Sequence, residues 1–300
     1  VVKAGRPSRE RHLAAPSVRF APDFARRLER LVVQLAAARE RREGAGGAGL
    51  TGGGDEFVGY RPYVMGEDLR QLDWNLLARL DRPYVRVTRR EAAERWSVFI
   101  DASASMGVGS PGKLQCAAEV ACALACIGLR MGARVELLLA RAGAPAEFAV
   151  VKKTDLAGLF AFFEAQRASG ERGLAAILEQ RRPPADAGRV FLIGDLEGLD
   201  PRAVLALLRR GRELFAAQIL APIELTPPAA GAVEWLDPEG RGRIPVMLEP
   251  GVLARYGEEL DRQLEAWGAL AGHHGFAYGC FRSDQPFEDV TAKLLLLGRR

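Results

Sequence analysis

The chain has 300 residues, 48% of them apolar and 27% charged, with a formal net charge of +4. These values exclude a collagen-like repeat, a wholly disordered chain and a small disulfide-stapled scaffold. No apolar run reaches the ~18 residues of a membrane span. The opening VVKAGRPSRERH lacks the apolar core of a secretory signal, so a cytoplasmic location is expected.

The basic surplus is local. Residues 1–50 hold 11 of the 42 Lys+Arg but only 5 of the 38 Asp+Glu, so the rest of the chain is slightly acidic. Such an arm suits an acidic partner or, weakly, an anionic membrane surface. Nucleic acid is not expected as a partner, because stacking aromatics are scarce in the arm. No small-molecule substrate is expected either.

In chain order, residues 1–19 read as a solvated tail. Phe24, Leu28, Leu31/Val32 and Leu35 then recur at helical spacing, which predicts an amphipathic helix over Pro22–Glu43 that needs a surface to pack on. Gly44–Gly54 reads as a flexible link. Phe57–Glu94 is dense in Arg, Asp, Tyr and Trp, with a strand near Tyr84–Val87 and a short helix or turn within Leu69–Leu80. Its balanced charges point to a structural network of Arg forks and carboxylates. The chain is thus expected to divide into 1–54, 55–94 and 95–300.

A different pattern begins at Trp96. Apolar strands are predicted at Trp96–Ile100, Val135–Ala140, Phe148–Val151, Val190–Ile193, Leu214–Leu220 and Phe276–Phe281. Helices are predicted over Lys113–Met131, Leu156–Gln166, Leu174–Gln180, Pro201–Arg210, Gly251–Ala271 and Phe287–Leu297, while Thr226–Leu248 reads as irregular. Continuous apolar strands alternating with helices predict an α/β fold with a doubly wound, mostly parallel sheet buried on both faces.

Ligands of such sheets bind beyond the C-terminal ends of the strands. Two aspartates fall there, Asp101 after the first strand and Asp195 after the fourth. Asp101, Ser103 and Ser105 offer a carboxylate and two hydroxyls at alternate positions of one loop. Hard oxygen donors of low total charge suit Mg²⁺ or Mn²⁺ better than zinc. As a helix cap alone, Asp101 accounts for one or two hydroxyl positions, but not for two alternating serines together with Asp195.

Asp101-x-Ser103-x-Ser105 resembles the metal-ion-dependent adhesion site of von Willebrand factor A domains. Upstream, Tyr60-Arg61-Pro62-Tyr63, Gly66-Glu67-Asp68-Leu69-Arg70, Asp73-Trp74 and Ala78-Arg79 are similar to a bacterial domain-of-unknown-function family whose A-domain-like members are often encoded beside MoxR-type AAA+ ATPases. Asp237-Pro238-Glu239-Gly240, Tyr256 and Asp284-Gln285-Pro286-Phe287-Glu288 agree with it, and the resemblance runs from about residue 55 to the C-terminus. It implies an A-like fold, metal ligation by Asp101, Ser103, Ser105 and Asp195, and a non-enzymatic protein–protein role with such an ATPase. It also implies a threonine from a second loop. The matching stretch Ser169–Leu174 has none, so that Ser169 or Glu171 substitutes, or Arg172 brings a guanidinium to the site.

Other chemistries fit less well. Gly107–Lys113 matches G-x-x-x-x-G-K, which with Asp195 gives a P-loop-like NTPase as the alternative reading. Leu114 stands where the Mg²⁺-binding hydroxyl belongs, however, and Pro111 removes a backbone donor. A haloacid-dehalogenase-like phosphatase needs an aspartate where Ser103 stands. The three histidines, His12, His273 and His274, accompany no G-x-S-x-G elbow. Cys116, Cys122, Cys126 and Cys280 read as small core fillers, because Cys122/Cys126 with His273/His274 lack zinc-site spacing.

Overall fold

The computed structural model describes residues 2–3, 17–43, 56–64, 73–80, 82–89, 94–171, 173–228, 231–238 and 242–298. The link expected at 44–54, the motif at 66–70, Glu239-Gly240 and Arg172 lie outside the described residues, as does the tail over 4–16. In chain order the elements begin with β1 (Val2–Lys3), α1 (Phe24–Glu43), β2 (Glu56–Pro62), α2 (Trp74–Leu80) and β3 (Tyr84–Arg89). The body follows with β4 (Arg95–Asp101), a 3-10 turn (Ala104–Gly107), α3 (Lys113–Arg130), β5 (Arg134–Ala140), β6 (Ala146–Val150), α4 (Asp155–Glu164) and α5 (Leu174–Gln180). It continues through β7 (Ala187–Gly194), α6 (Pro201–Leu205), β8 (Glu213–Leu220) and α7 (Pro222–Leu225). The last elements are β9 (Gly231–Leu236), β10 (Arg243–Leu248), α8 (Pro250–His274), β11 (Ala277–Arg282) and α9 (Phe287–Leu297).

Six strands form the central sheet in the order β11-β8-β7-β4-β5-β6, all parallel except the edge strand β6. This is the doubly wound sheet expected from the sequence. Side chains of β4 alternate between its faces as the two-residue period requires. Trp96, Val98 and Ile100 join α1, α3, α4 and α9 in one core, and Phe99 joins α5, α6 and α8 in the other. With no face left to water, strands such as Trp96–Ile100 and Val190–Ile193 stay almost wholly apolar.

The predicted N-terminal helix finds its surface. Phe24, Leu28 and Leu31 are buried in the first core, each contributing about 1.5–3 kcal/mol. The Phe24 ring lies 4.6 Å from Phe20, 4.9 Å from Phe287 and 5.6 Å from Phe160, tying α1 to α9 and α4. Arg27 donates to both carboxylate oxygens of Glu288 on α9, at 2.7 and 2.6 Å.

Two stretches depart from the sequence reading. Ser17–Phe20 is packed rather than solvated: Val18 is buried, and Gln115 of α3 both accepts from the Arg19 amide and donates to its carbonyl. Val2–Lys3 pairs antiparallel with β9. The stretch read as irregular is a hairpin, β9 against β10 in continuous antiparallel register from Arg243↔Leu236 to Leu248↔Gly231. Pro245 hid it, because proline is poor in a central strand but tolerated on an edge, and β10 is the edge of its sheet. In the polar block, β2 and β3 pair antiparallel across the intervening α2, and the Tyr60 hydroxyl donates to Asp73 at 2.9 Å. The other carboxylate oxygen of Asp73 accepts from the Leu76 amide at the start of α2.

Candidate functional site

The chain leaves β4 toward β5 on one side, and β7 lies on the other. The loops after β4 and β7 therefore diverge, which makes their junction at the C-terminal edge of the sheet the topological switch point, the place where open α/β sheets bind ligands. Asp101 ends β4 and Asp195 directly follows β7, so the topology brings the two predicted carboxylates to this one place.

Ser103 and Ser105 join them. One oxygen of Asp101, Oδ1, accepts from the Ser103 amide at 2.8 Å and from the Ser103 hydroxyl at 2.6 Å. The Ser103 and Ser105 hydroxyl oxygens are 3.0 Å apart, and the Ser105 hydroxyl donates to Asp195 Oδ2 at 2.7 Å. All four predicted ligands thus form one row of oxygens in contact, Ser103 bonded to Asp101 and Ser105 to Asp195, each residue between 2% and 8% exposed.

Each part of this chain has a local cause. The second loop packs on the first through backbone bonds, from the Ser169 amide to the Ala102 carbonyl and from the Ala104 amide to the Gly170 carbonyl. The Leu174 amide, at the start of α5, donates to Asp101 Oδ2 at 3.1 Å. A Cβ at Gly173 would stand 2.4 Å from that oxygen, and one at Gly194 would stand 2.6 Å from the Asp101 Cβ. Only glycine allows the carboxylate to sit this close to both loops. Beyond Asp195, Leu196 adopts a left-handed φ of 59°, which costs a residue with a side chain roughly 1–2 kcal/mol. The turn lets the Glu197 amide reach Asp195 Oδ1 at 3.2 Å.

Sequence reasoning missed the cation. Lys113, the final lysine of the glycine-rich stretch, begins α3 and is 1% exposed. Its ammonium donates to Asp195 Oδ2 at 3.0 Å and to Glu224 Oε1 at 2.7 Å. Glu224 on α7 is held in turn: its other oxygen accepts from the Ala221 amide at 2.6 Å, and its carbonyl accepts from the Tyr256 hydroxyl at 2.6 Å. A phosphate cradled by this loop would have to displace both carboxylates from the lysine. Beneath Asp195, Gln218 donates to the Asp195 carbonyl at 2.9 Å and accepts from the Tyr278 hydroxyl at 2.7 Å. Gln218 was legible as the one polar side chain inside the apolar run Leu214–Leu220; nothing in the sequence marks Glu224.

The two carboxyls titrate differently. Burial, with the negative charge of Asp195 second, pushes Asp101 up to about 6, against the hydrogen bonds from Ser103 and Leu174. Burial also pushes on Asp195, but the Lys113 charge and the bonds from Ser105, Lys113 and the Glu197 amide outweigh it and hold Asp195 below its usual range. For Lys113, burial favours the neutral form, yet Asp195 and Glu224 together raise its pKa.

The donor set fits a hard divalent cation in kind, since two carboxylates and two hydroxyls converge with no softer ligand among them. Among the described residues no group of three or more His, Cys, Asp and Glu side chains is placed to hold a metal, so an ion here relies on the two serines. Asp101, Ser103, Ser105 and Asp195 are the residues that would hold it. From the second loop, the described residues bring backbone to Asp101, and Glu171 is exposed. The four cysteines are free, and Cys116 and Cys122 are buried. No described helix is long and apolar enough to cross a membrane.

Residues 59–264 match a family described as "Protein of unknown function DUF58". The chain is 30% identical over 201 residues to "Uncharacterized protein Rv1480" of Mycobacterium tuberculosis and to "Uncharacterized protein Mb1516" of Mycobacterium bovis. The matched part is 63% of this chain and 62% of each relative, so the chain spans less than two thirds of their length. Among solved structures it is similar to the conserved hypothetical protein BatB from Bacteroides thetaiotaomicron, at 14% identity over 69% of this chain and 100% of that one, with a TM-score of 0.40. It is also similar to the SpRpn10 VWA domain, at 11% identity over 66% of this chain and 94% of that one, with a TM-score of 0.36.

Proposed function

The chain belongs to the DUF58 family, with a von Willebrand factor A-like body, and on that premise we propose that it is a non-enzymatic protein-recognition module whose strand-end pocket binds Mg²⁺. The observation that carries this reading is the convergence of Asp101, Ser103, Ser105 and Asp195 at the switch point of the sheet. Asp101, Ser103, Ser105 and Asp195 would hold Mg²⁺ or Mn²⁺, and the ion would supply a Lewis-acidic position for a partner's carboxylate. The chain's own residues orient the ligands: Leu174 fixes Asp101, and Glu197 and Gln218 fix Asp195. On the same edge, α7 with Thr226, Pro228 and Arg282 lines a shallow cleft of about 370 Å³, which gives a partner an apolar contact beside the polar one.

In this reading the protein works in the cytoplasm, and its partner is a MoxR-type AAA+ ATPase acting in the assembly or maturation of another complex. The family resemblance supplies that partner, and the pocket supplies the means of contact. The test is affinity capture from lysate of the source organism, in Mg²⁺ and in EDTA, with the wild type and Asp101→Ala. Recovery of the ATPase only with Mg²⁺ and an intact Asp101 is the expected result. Equal recovery in all four arms would move the interface away from the pocket.

A further inference from the structure

A site read as a cation site already contains a cation. Lys113 is nearly inaccessible, and its ammonium is bonded to Asp195 Oδ2, the same oxygen that accepts the Ser105 hydroxyl. A divalent ion taking Asp195 would meet this positive charge at the ligand itself, where the low local dielectric makes repulsion strong. The lysine has a second anchor. Glu224 Oε1 is nearer to it than Asp195 is, and Glu224 is fixed through its other oxygen to the Ala221 amide. Its side chain is 26% exposed against 5% for Asp195, so Glu224 is also where this cluster reaches solvent.

We infer that Lys113 is the resident cation of the pocket, and that metal loading is an exchange in which Lys113 yields Asp195 and is retained by Glu224. The inference rests on the reading of the pocket as a Mg²⁺ site and adds its regulation. The lysine-held form offers no Lewis-acidic position to a partner. Recognition therefore follows the Mg²⁺ concentration at which exchange occurs. Glu224 makes the exchange feasible, because a buried ammonium left with no anion would be strongly destabilising.

The experiment uses the full chain stripped with EDTA and labelled with ¹⁵N-lysine. Only five lysines are present, and loss of one side-chain ammonium resonance in Lys113→Met assigns Lys113. Mg²⁺ is titrated by calorimetry into wild type, Lys113→Met and the double variant Lys113→Met/Asp101→Ala, and the wild-type ammonium resonance is followed alongside. The expected result is at least tenfold tighter binding by Lys113→Met, abolished in the double variant, with the wild-type resonance shifting along the metal saturation curve. Metal bound by Lys113→Met alone overturns the exchange, because the wild-type lysine then never yields Asp195, and it overturns the Mg²⁺ reading of the native chain with it. A wild type that binds Mg²⁺ with an unmoved Lys113 resonance, or a Lys113→Met variant that binds no more tightly, overturns the exchange and leaves the Mg²⁺ reading intact. Binding that survives in the double variant overturns it by placing the metal elsewhere. No binding by any variant up to 10 mM overturns the Mg²⁺ reading and the exchange with it. If Lys113→Met does not fold, Lys113→Arg assigns the resonance and its response in the wild type decides.

Discussion

At the N-terminal ends of β4, β5 and β7, charge is paired among side chains that are half-buried to exposed. Arg95 meets Glu136 at 2.7 Å and Asp186 at 3.3 Å, Arg134 shares Glu136 at 3.1 Å, and Arg189 pairs with Glu213 while lying 4.9 Å from the Trp96 ring centre. At the C-terminal ends of β4 and β7, Asp101, Asp195 and Lys113 are almost wholly removed from water. Both ends carry mixed charge, but water screens the first set and not the second. Exposed pairs of the first kind contribute roughly 0–1 kcal/mol and serve mainly to fix strand ends. Buried charges of the second kind are costly to assemble and more costly to break, and the proposed function gives this cluster a role beyond stability. That asymmetry is the physical ground for placing function at one edge of the sheet.

The comparison can be broken most sharply at Asp195. Asp195→Ala strands part of the Lys113 charge and is expected to cost about 3–5 kcal/mol in urea denaturation; a loss under 1 kcal/mol would make the two edges equivalent. The next effect is pH-dependent and is read in EDTA. Folding raises the Asp101 pKa from 3.8 to about 6, so the folded state binds the proton more tightly than the unfolded state. That contribution to stability is fully present below pH 3.8 and is lost as pH rises through 6. The wild type should therefore lose roughly 2–3 kcal/mol relative to Asp101→Asn between pH 4 and pH 7. Parallel stability profiles for the two proteins would refute it.

Gly173→Ala tests close approach rather than charge. Its Cβ must push against Asp101 Oδ2, for an expected loss of about 1–3 kcal/mol and weakened Mg²⁺ binding by calorimetry. Unchanged binding would show that Asp101 can relocate freely. The smallest effect belongs to the opposite edge. Glu136→Gln should cost less than about 1 kcal/mol and leave Mg²⁺ binding unaltered, and a larger loss would show that edge to be more than a surface network.

The sequence by itself determined what short-range pattern controls. Apolar runs such as Trp96–Ile100 and Val190–Ile193, alternating with helical spacing, specify a parallel sheet buried on both faces, and strands of that kind place Asp101 and Asp195 at their C-terminal ends. Ser103 and Ser105 were legible because they sit two and four residues from Asp101 on one loop. The edge hairpin β9–β10 was obscured by Pro245, and the packing of Val18 by the charged tail over residues 3–11 that precedes it. Only the tertiary structure decided what neutralises the pocket. Lys113 lies 82 residues from Asp195 and 111 from Glu224, and its local sequence gave it the look of a phosphate-binding lysine. Its partner is set by where α3 begins over the sheet and where α7 turns after β8, and a Coulomb interaction across such distances in sequence leaves no local pattern to read.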